Sequence, residues 1–600
     1  MKGNTILVFS FCSLFIISFL YFFFFEKGIF FYQENSSLFI YTSDYLEGFS
    51  SKPGGLLVYA GNFLTQFYFN PLYGALTLSG LLILQGIVFI SIGKLLHVNK
   101  SISLLLFLFP EFVLLLLQTH YDTFVQNSLG YLIVTLWFLI SIATGKKLVQ
   151  YITAGLFPVL YYLTGSFAFI YIGISVIYSL IYNRGLYRIY YTSFLLFISF
   201  LTFITFKNYL FLQPSNRLLS YPLLFSDISK ISAWSYLFSG IIIFFPILIR
   251  VSGMIKLSAR AEAYSPAIII LILFPSLFLF LNKSYEPEYE KLMRLEKLVY
   301  ERNWEEIIRE CEKSSPENIV GEYYYNLSLI EKGQLCSRLF YIPQNYGSLS
   351  LPLQRDNIQM FRALYFYYAI GLTGEAHHLA FELMVQHGHR PESIKMLIKT
   401  ELINGNYKIA ERYINILNKT LHYRNWAEKY EKMLTNPQLI SSDPELSQKL
   451  TLLPGKDFFI MGSDTRNLDL LFEANPSNIR AFESKMARLL LEKDLLEIIS
   501  EVKKMKGVGY LYLPRHIEEA VVAYRYFSKQ IPDIGGLALR PETETRFKEY
   551  LATYNRYQGK NDLFDRAMKM EKQTFWYYLQ FSTIKMDFEK GVVERNVFIY

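Results

Sequence analysis

The charges of this chain fall almost entirely on one side of residue 282. Residues 1–282 hold only 15 Lys and Arg and 8 Asp and Glu, against 44 and 43 in the remaining 318. Long uncharged apolar runs cannot stay in water, so the first part belongs to a bilayer. The second part has an ordinary soluble composition. The expected fold is all-α: a polytopic membrane domain over 1–282, a helical repeat domain over 283–580, and a tail over 581–600.

The overall charge of +8 is concentrated in the membrane part, where topology explains it. The appendage is close to neutral and has no basic patch dense enough for nucleic acid. The first apolar run, Thr5 to Phe25, is about 20 residues, enough to cross ~30 Å of hydrocarbon. The run Phe22-Phe23-Phe24-Phe25-Glu26-Lys27 is not a small-residue cleavage site. A retained anchor is expected.

Further apolar runs lie at about 72–93, 102–118, 129–143, 148–164, 166–183, 189–207, 231–249 and 267–282, giving about nine spans. Thr164-Gly165-Ser166 alone divides the pair near 148–183. One set of alternate loops carries Lys2, Lys94, Lys100, Lys146, Lys147, Arg184, Arg188, Arg250, Lys256 and Arg260; the other carries Lys27, Lys52, Lys207, Arg217 and Lys230. The richer set is assigned to the cytoplasm. The N-terminus is then inside, and the appendage reaches the far side, the periplasm if the membrane is a bacterial inner membrane.

The appendage has helix–turn–helix periodicity. Trp304, Ile307, Ile308 and Cys311 follow i, i+3, i+4, i+7. A unit at Phe361–Gln386 turns at Thr373-Gly374, and the next turns at Asn404-Gly405-Asn406. Further units are read at Ala481–Lys504 and at Phe547–Met570. The stretch Asn406-Tyr407-Lys408-Ile409-Ala410-Glu411-Arg412-Tyr413 resembles the second helix of a tetratricopeptide repeat, in which a small residue such as Ala410 lets helices approach. The full consensus is never present, so the expectation is a degenerate helical-hairpin solenoid with a concave face for a partner. Cys311 and Cys336 sit on successive predicted helices; a disulfide is allowed there, with two buried free thiols the preferred reading.

The first outer loop carries Glu34, Asp44, Glu47 and Lys52, followed by a half-apolar stretch, Leu56–Phe69, that suits a helix lying flat on the membrane. The second outer loop, Thr119-His120-Tyr121-Asp122-Thr123, places an imidazole and a carboxylate at the same surface. Arg217 lies between Pro214 and Pro222, where a guanidinium can clamp a phosphate. Outer-loop carboxylates are more often solvated charge than catalysts, and His120 with Asp122 also suits a local cap. Glu111 follows Pro110 within the third span. It reads either as a structural hydrogen bond at a proline kink or as part of a proton or substrate path. His377, His378, His387 and His389 lack metal-ligand spacing.

This arrangement is similar to the polytopic glycosyltransferases of the GT-C type. The resemblance is one of architecture over about 1–285 and includes no diagnostic string. It implies a polyprenyl-phosphate sugar donor, acidic residues in a long first outer loop, and a second acidic position after the third span. Asp44 or Glu34 would match the first position and Asp122 the second. A carboxylate would accept the acceptor proton, with a divalent metal ion or a cation on the phosphate. The first loop has no adjacent Asp-Asp or Asp-Glu pair. The Phe- and Tyr-rich spans are also similar to those of a membrane-protein family of Bacteroidota, which implies no activity. In this reading the catalytic candidates are Asp44, Glu34, Glu47, His120 and Asp122, and the substrate contacts Arg217, Lys52 and Glu111. The repeats would position a glycan acceptor or envelope protein. The competing expectations are a non-catalytic scaffold recruiting envelope proteins and, from Glu111, a transporter or flippase.

Overall fold

The computed structural model describes residues 2–223, 233–255, 257–354, 359–456, 458–558, 568 and 571–583. The expected helix at 563–570, apart from Met568, and the tail beyond 583 lie outside the described residues, as do Lys230 and Lys256. Among the described residues there are helices and no strands. The chain divides into two compact units, one of residues 1–290 with 419–422, the other of residues 291–418 with 423–600.

The first unit begins with α1 (Lys2–Phe24), α2 (Lys27–Ser36), α3 (Ser43–Ser50) and α4 (Gly55–Thr65). The long helices α5 (Pro71–Leu95), α6 (Ser103–Gln118) and α7 (Val125–Ala143) follow. Then come α8 (Lys147–Gly155), α9 (Phe157–Thr164), α10 (Ala168–Tyr182), α11 (Leu186–Thr205), α12 (Ser215–Ser220), α13 (Ala233–Ser252) and α14 (Ala259–Ser284). Among the described residues seven helices are long and apolar enough to cross a membrane, and α6 is a shorter apolar helix. One of the seven, Phe157–Tyr182, is bent: Phe157 and Tyr161 of α9 both pack on Phe169 of α10, and Tyr171 donates to Thr153 on α8 at 3.5 Å. Those pairings run in opposite chain directions, so the bend is a reversal.

Local signals start these helices where the sequence supplies them. The Asn70 side chain accepts from the Leu72 N–H, with Pro71 in the first turn of α5. Ser258 does the same for α14 at Ala261. Several buried polar side chains tie two apolar helices together. Ser18 on α1 donates to Ser79 on α5 at 3.0 Å. Gln85 on α5 donates to Thr135 on α7 at 3.1 Å. Tyr131 on α7 meets Ser235 and Ser239 on α13, each at 3.0 Å.

The helix α15 (Pro287–Tyr300) leads into the second unit. There, α16 (Trp304–Lys313) packs on α17 (Ile319–Lys332), followed by the short α18 (Leu335–Arg338). The run α19 (Met360–Ile370), α20 (Thr373–His387), α21 (Pro391–Ile403), α22 (Tyr407–Asn418) and α23 (Arg424–Thr435) stacks each helix on the next. Ala410 is fully buried on α22, as a close helix approach requires. The chain continues through α24 (Gln438–Ser442), α25 (Pro444–Leu452), α26 (Asp464–Ala474), α27 (Ile479–Glu492), α28 (Leu495–Val502), α29 (Met505–Val508), α30 (Arg515–Ser528), α31 (Pro541–Tyr557) and α32 (Phe575–Phe581). Buried ion pairs cross this unit, among them Glu331 with Lys449 at 2.9 Å and Glu296 with Arg362 at 2.8 Å. Cys311 and Cys336 are separate buried thiols.

Candidate functional site

Three chain segments of the first unit lock together around two glycines. Gly54 has φ +78° and donates its N–H to the Tyr162 carbonyl at 2.8 Å. A Cβ there would stand 2.7 Å from Pro222 Cδ and 3.0 Å from Gly165 Cα. Gly165, at φ +59°, is equally closed in by the Tyr221 carbonyl. The Ser166 N–H donates to that carbonyl at 3.0 Å, its hydroxyl to the Ser220 carbonyl at 3.1 Å, and Tyr161 reaches the Leu218 carbonyl at 2.7 Å. Tyr162 closes the ring with a 3.1 Å bond to the Ser50 carbonyl.

This lock brings two cations together. Lys52, just before Gly54, holds its ammonium 4.5 Å from the centre of the Tyr221 ring. Arg217, on α12, is exposed, and its charge acts on Lys52. Burial, and then the Arg217 charge, hold the Lys52 ammonium below the usual lysine range. No carboxylate among the described residues forms an ion pair with either cation. A cation pair of this kind has the donors that a phosphate would match.

The predicted carboxylates are dispersed around this pair. Asp44 and Glu47 lie on exposed positions of α3, one turn apart, upstream of Lys52. Thr42 caps that helix by accepting from the Tyr45 N–H at 3.2 Å, and Ser43 donates to Asp44 at 3.3 Å. Asp122 is exposed and accepts from Tyr32 of α2 at 3.2 Å. His120 is half-buried and its carbonyl accepts from the Thr123 N–H at 2.9 Å, forming a turn. Glu34 is buried on α2. Glu111 lies apart, fully buried in α6, and neither of its oxygens has a hydrogen-bond partner among the described residues.

The sequence offered no role for Glu26 or Glu290. The structure pairs them. Tyr21 donates to Glu26 at 3.2 Å, and Tyr121 donates to Glu290 at 3.1 Å. The Gly28 N–H, in the first turn of α2, donates to the same Glu290 oxygen at 2.8 Å. Glu26 is 2% exposed. Burial, with the Glu290 charge beside it, pushes its carboxyl up to about 8, against the pull of hydrogen bonds from Tyr21 and Tyr121. The Tyr121 phenol is pushed up by burial and by both carboxylates. The available signal was the acidic run Glu286, Glu288, Glu290 directly after the last apolar helix.

Among the described residues no group of three His, Cys, Asp or Glu side chains could hold a metal ion. His377 instead bonds Glu401 at 2.8 Å. A family model described as a family of unknown function, DUF6057, matches residues 3–582. The chain therefore belongs to that family. No curated protein and no solved structure matches it.

Proposed function

We propose that this DUF6057 protein is a membrane glycosyltransferase of GT-C type, taking a sugar from a polyprenyl-phosphate donor at the outer face of a bacterial inner membrane. The observation that carries the reading is Lys52 and Arg217, neither of them in an ion pair with a carboxylate among the described residues, set on loops that the basic-residue count assigns to the outer side. The donor phosphate would bridge ammonium and guanidinium. Their charge would favour departure of the phosphate as the bond from the sugar C1 to the phosphate oxygen breaks. Asp44 or Glu47 would accept the proton of the acceptor hydroxyl as its oxygen bonds to C1.

Topology supports the sidedness. Splitting the bent helix at Gly165 and counting α6 gives nine crossings, an odd number that sends the two ends of the chain to opposite sides. With Lys2, Lys94, Lys146 and Arg184 cytoplasmic, the repeat unit is periplasmic. The stacked helices α19 to α23 fit a tetratricopeptide-like array that holds the acceptor or an envelope protein.

One observation favours the scaffold reading. Asp44, Glu47 and Asp122 are all exposed, as expected of ordinary solvated charge. Reconstituted full chain, given a polyprenyl-phosphate sugar, separates the two. Transferase activity releases free polyprenyl phosphate. Lys52→Ala and Arg217→Ala would then raise the donor KM roughly tenfold each, the worth of one charge-assisted contact, and Asp44→Asn with Glu47→Gln would lower kcat. No release from the wild-type chain, or release indifferent to all four changes, leaves the scaffold.

A further inference from the structure

The transmembrane helices of the first unit carry an unused polar layer. Gln118 at the end of α6 donates to Ser128 of α7 at 3.1 Å and to the Leu78 carbonyl of α5 at 3.4 Å. Seven residues further along α5 and α7 stand Gln85 and Thr135, bonded at 3.1 Å. Seven residues back along α6 stands Glu111. Two helical turns return a side chain to within about 20° of the same direction, and α6 runs antiparallel to α5, since Phe107 packs on Gly93 while Gln118 meets Leu78. Glu111 therefore falls in the Gln85–Thr135 layer, on the face of α6 turned to α5.

That face is rich in acceptors. Both Glu111 oxygens and the Gln118 Oε1 are buried without a hydrogen-bond partner among the described residues. An unpaired polar atom in hydrocarbon costs several kcal/mol by order of magnitude, and all three lack the same thing, a donor or a positive charge. Just past Gln118 the chain reaches Tyr121 and the Glu26–Glu290 pair, an acidic cluster at that end of the helix.

We propose that Glu111, with Gln118 and the Gln85–Thr135 pair, forms an intramembrane site for a small monovalent cation, a proton or a sodium ion. It is filled from the end of α6 at which Glu26 and Glu290 stand. The carboxyl is the charge that holds the ligand, and Gln118 is the polar step between it and that end. This site is separate from the Lys52–Arg217 pair and does not depend on donor binding.

Infrared spectroscopy of the full chain in lipid nanodiscs tests it, with pH and sodium varied separately and choline as the control cation. A proton site shows a carboxylic C=O band that falls as pH rises and is missing in Glu111→Gln. A sodium site shows a carboxylate signal that changes with sodium at fixed pH, not with choline, and is missing in the same variant. Gln118→Leu keeps the carboxyl and slows its hydrogen–deuterium exchange several-fold, so the site remains testable if Glu111→Gln does not accumulate. A Glu111 band that neither exchanges nor responds to pH or sodium overturns the proposal.

Discussion

The Lys52 ammonium stands 4.5 Å from the centre of the Tyr221 ring, and the next charge it feels is another cation, Arg217. The ring face offsets part of the desolvation of the ammonium, and no carboxylate among the described residues pairs with it. Lys52 therefore sheds its proton in the folded protein at a pH where the unfolded chain still holds it. Stability contributed by this group rises with pH through that window. A bound phosphate dianion reverses the preference and takes up a proton. Inorganic phosphate binding to the full chain is expected to weaken as pH approaches the ordinary lysine range. In Arg217→Gln the weakening should begin at higher pH, because the repulsion is gone. Calorimetric titration across pH reads both, and a profile identical in the two proteins contradicts the coupling.

Glu26 has the opposite sign. Its folded value is about 8 against 4.5 for the free group, so the folded protein binds the extra proton. The stability this gives is complete below the unfolded value and is lost as pH rises through about 8. Facing it are Tyr21 from α1, Tyr121 from the loop after α6, and Tyr285, Glu286 and Glu290 from the segment after α14. Glu26→Gln should flatten the alkaline fall in thermal stability. Glu290→Gln should move that fall to lower pH and make it smaller, because removing the like charge lowers the Glu26 carboxyl. Melting curves of the solubilised chain at a series of pH values decide it; an unchanged slope in Glu26→Gln assigns the fall to another group.

Much of this was legible in the sequence because apolar run length and helical period are local properties. The runs near 72–93 and 129–143 and the turn at Asn404-Gly405-Asn406 appear where expected as α5, α7 and the α21–α22 connection. The flat stretch expected at Leu56–Phe69 forms α4 with a single 3-10 turn after it. Arg217 was readable as a phosphate contact and Lys52 as a substrate contact, yet what brings their segments together is Gly54 touching Gly165, a contact between residues more than 100 positions apart. The Glu26–Glu290 pair was illegible for the same reason, and because Glu290 lies past the composition break at 282. Asp44 and Asp122 were matched by family position, and position in sequence carries no information on whether two loops face each other.

Buried charge in the second unit gives a stability test that does not touch the candidate site. Lys449 on α25 is 1% exposed and bonds both oxygens of Glu331 on α17, at 2.9 and 3.0 Å. Arg302 also pairs with Glu331, at 3.7 Å, and with Glu445. Removing Lys449 leaves a buried carboxylate short of its main partner, which costs about 3 kcal/mol. Lys449→Met is therefore expected to speed hydrogen exchange across α17 and α25 by roughly 100-fold, the equivalent of that energy. Lys297→Ala, which breaks the half-exposed pair with Glu301, should change exchange by less than about threefold. Equal effects from the two would mean that Lys449 is solvated.

The glycine contact that assembles the site gives a sharper test of its geometry. Gly54→Ala must tolerate φ +78° and a methyl 2.7 Å from Pro222 Cδ. Strain in the left-handed region costs about 1 kcal/mol, and the overlap adds to it because Gly165 backbone lies behind. The Tyr221–Pro222 segment has to move away, taking Arg217 from Lys52. Gly145→Ala is the control, since Gly145 has φ +62° but nothing within 4 Å of its added carbon. Both variants bear the backbone strain, and only Gly54→Ala should lose phosphate binding, to the level of Lys52→Ala. If the two glycine variants bind phosphate equally, the Gly54–Gly165 contact does not position the cations.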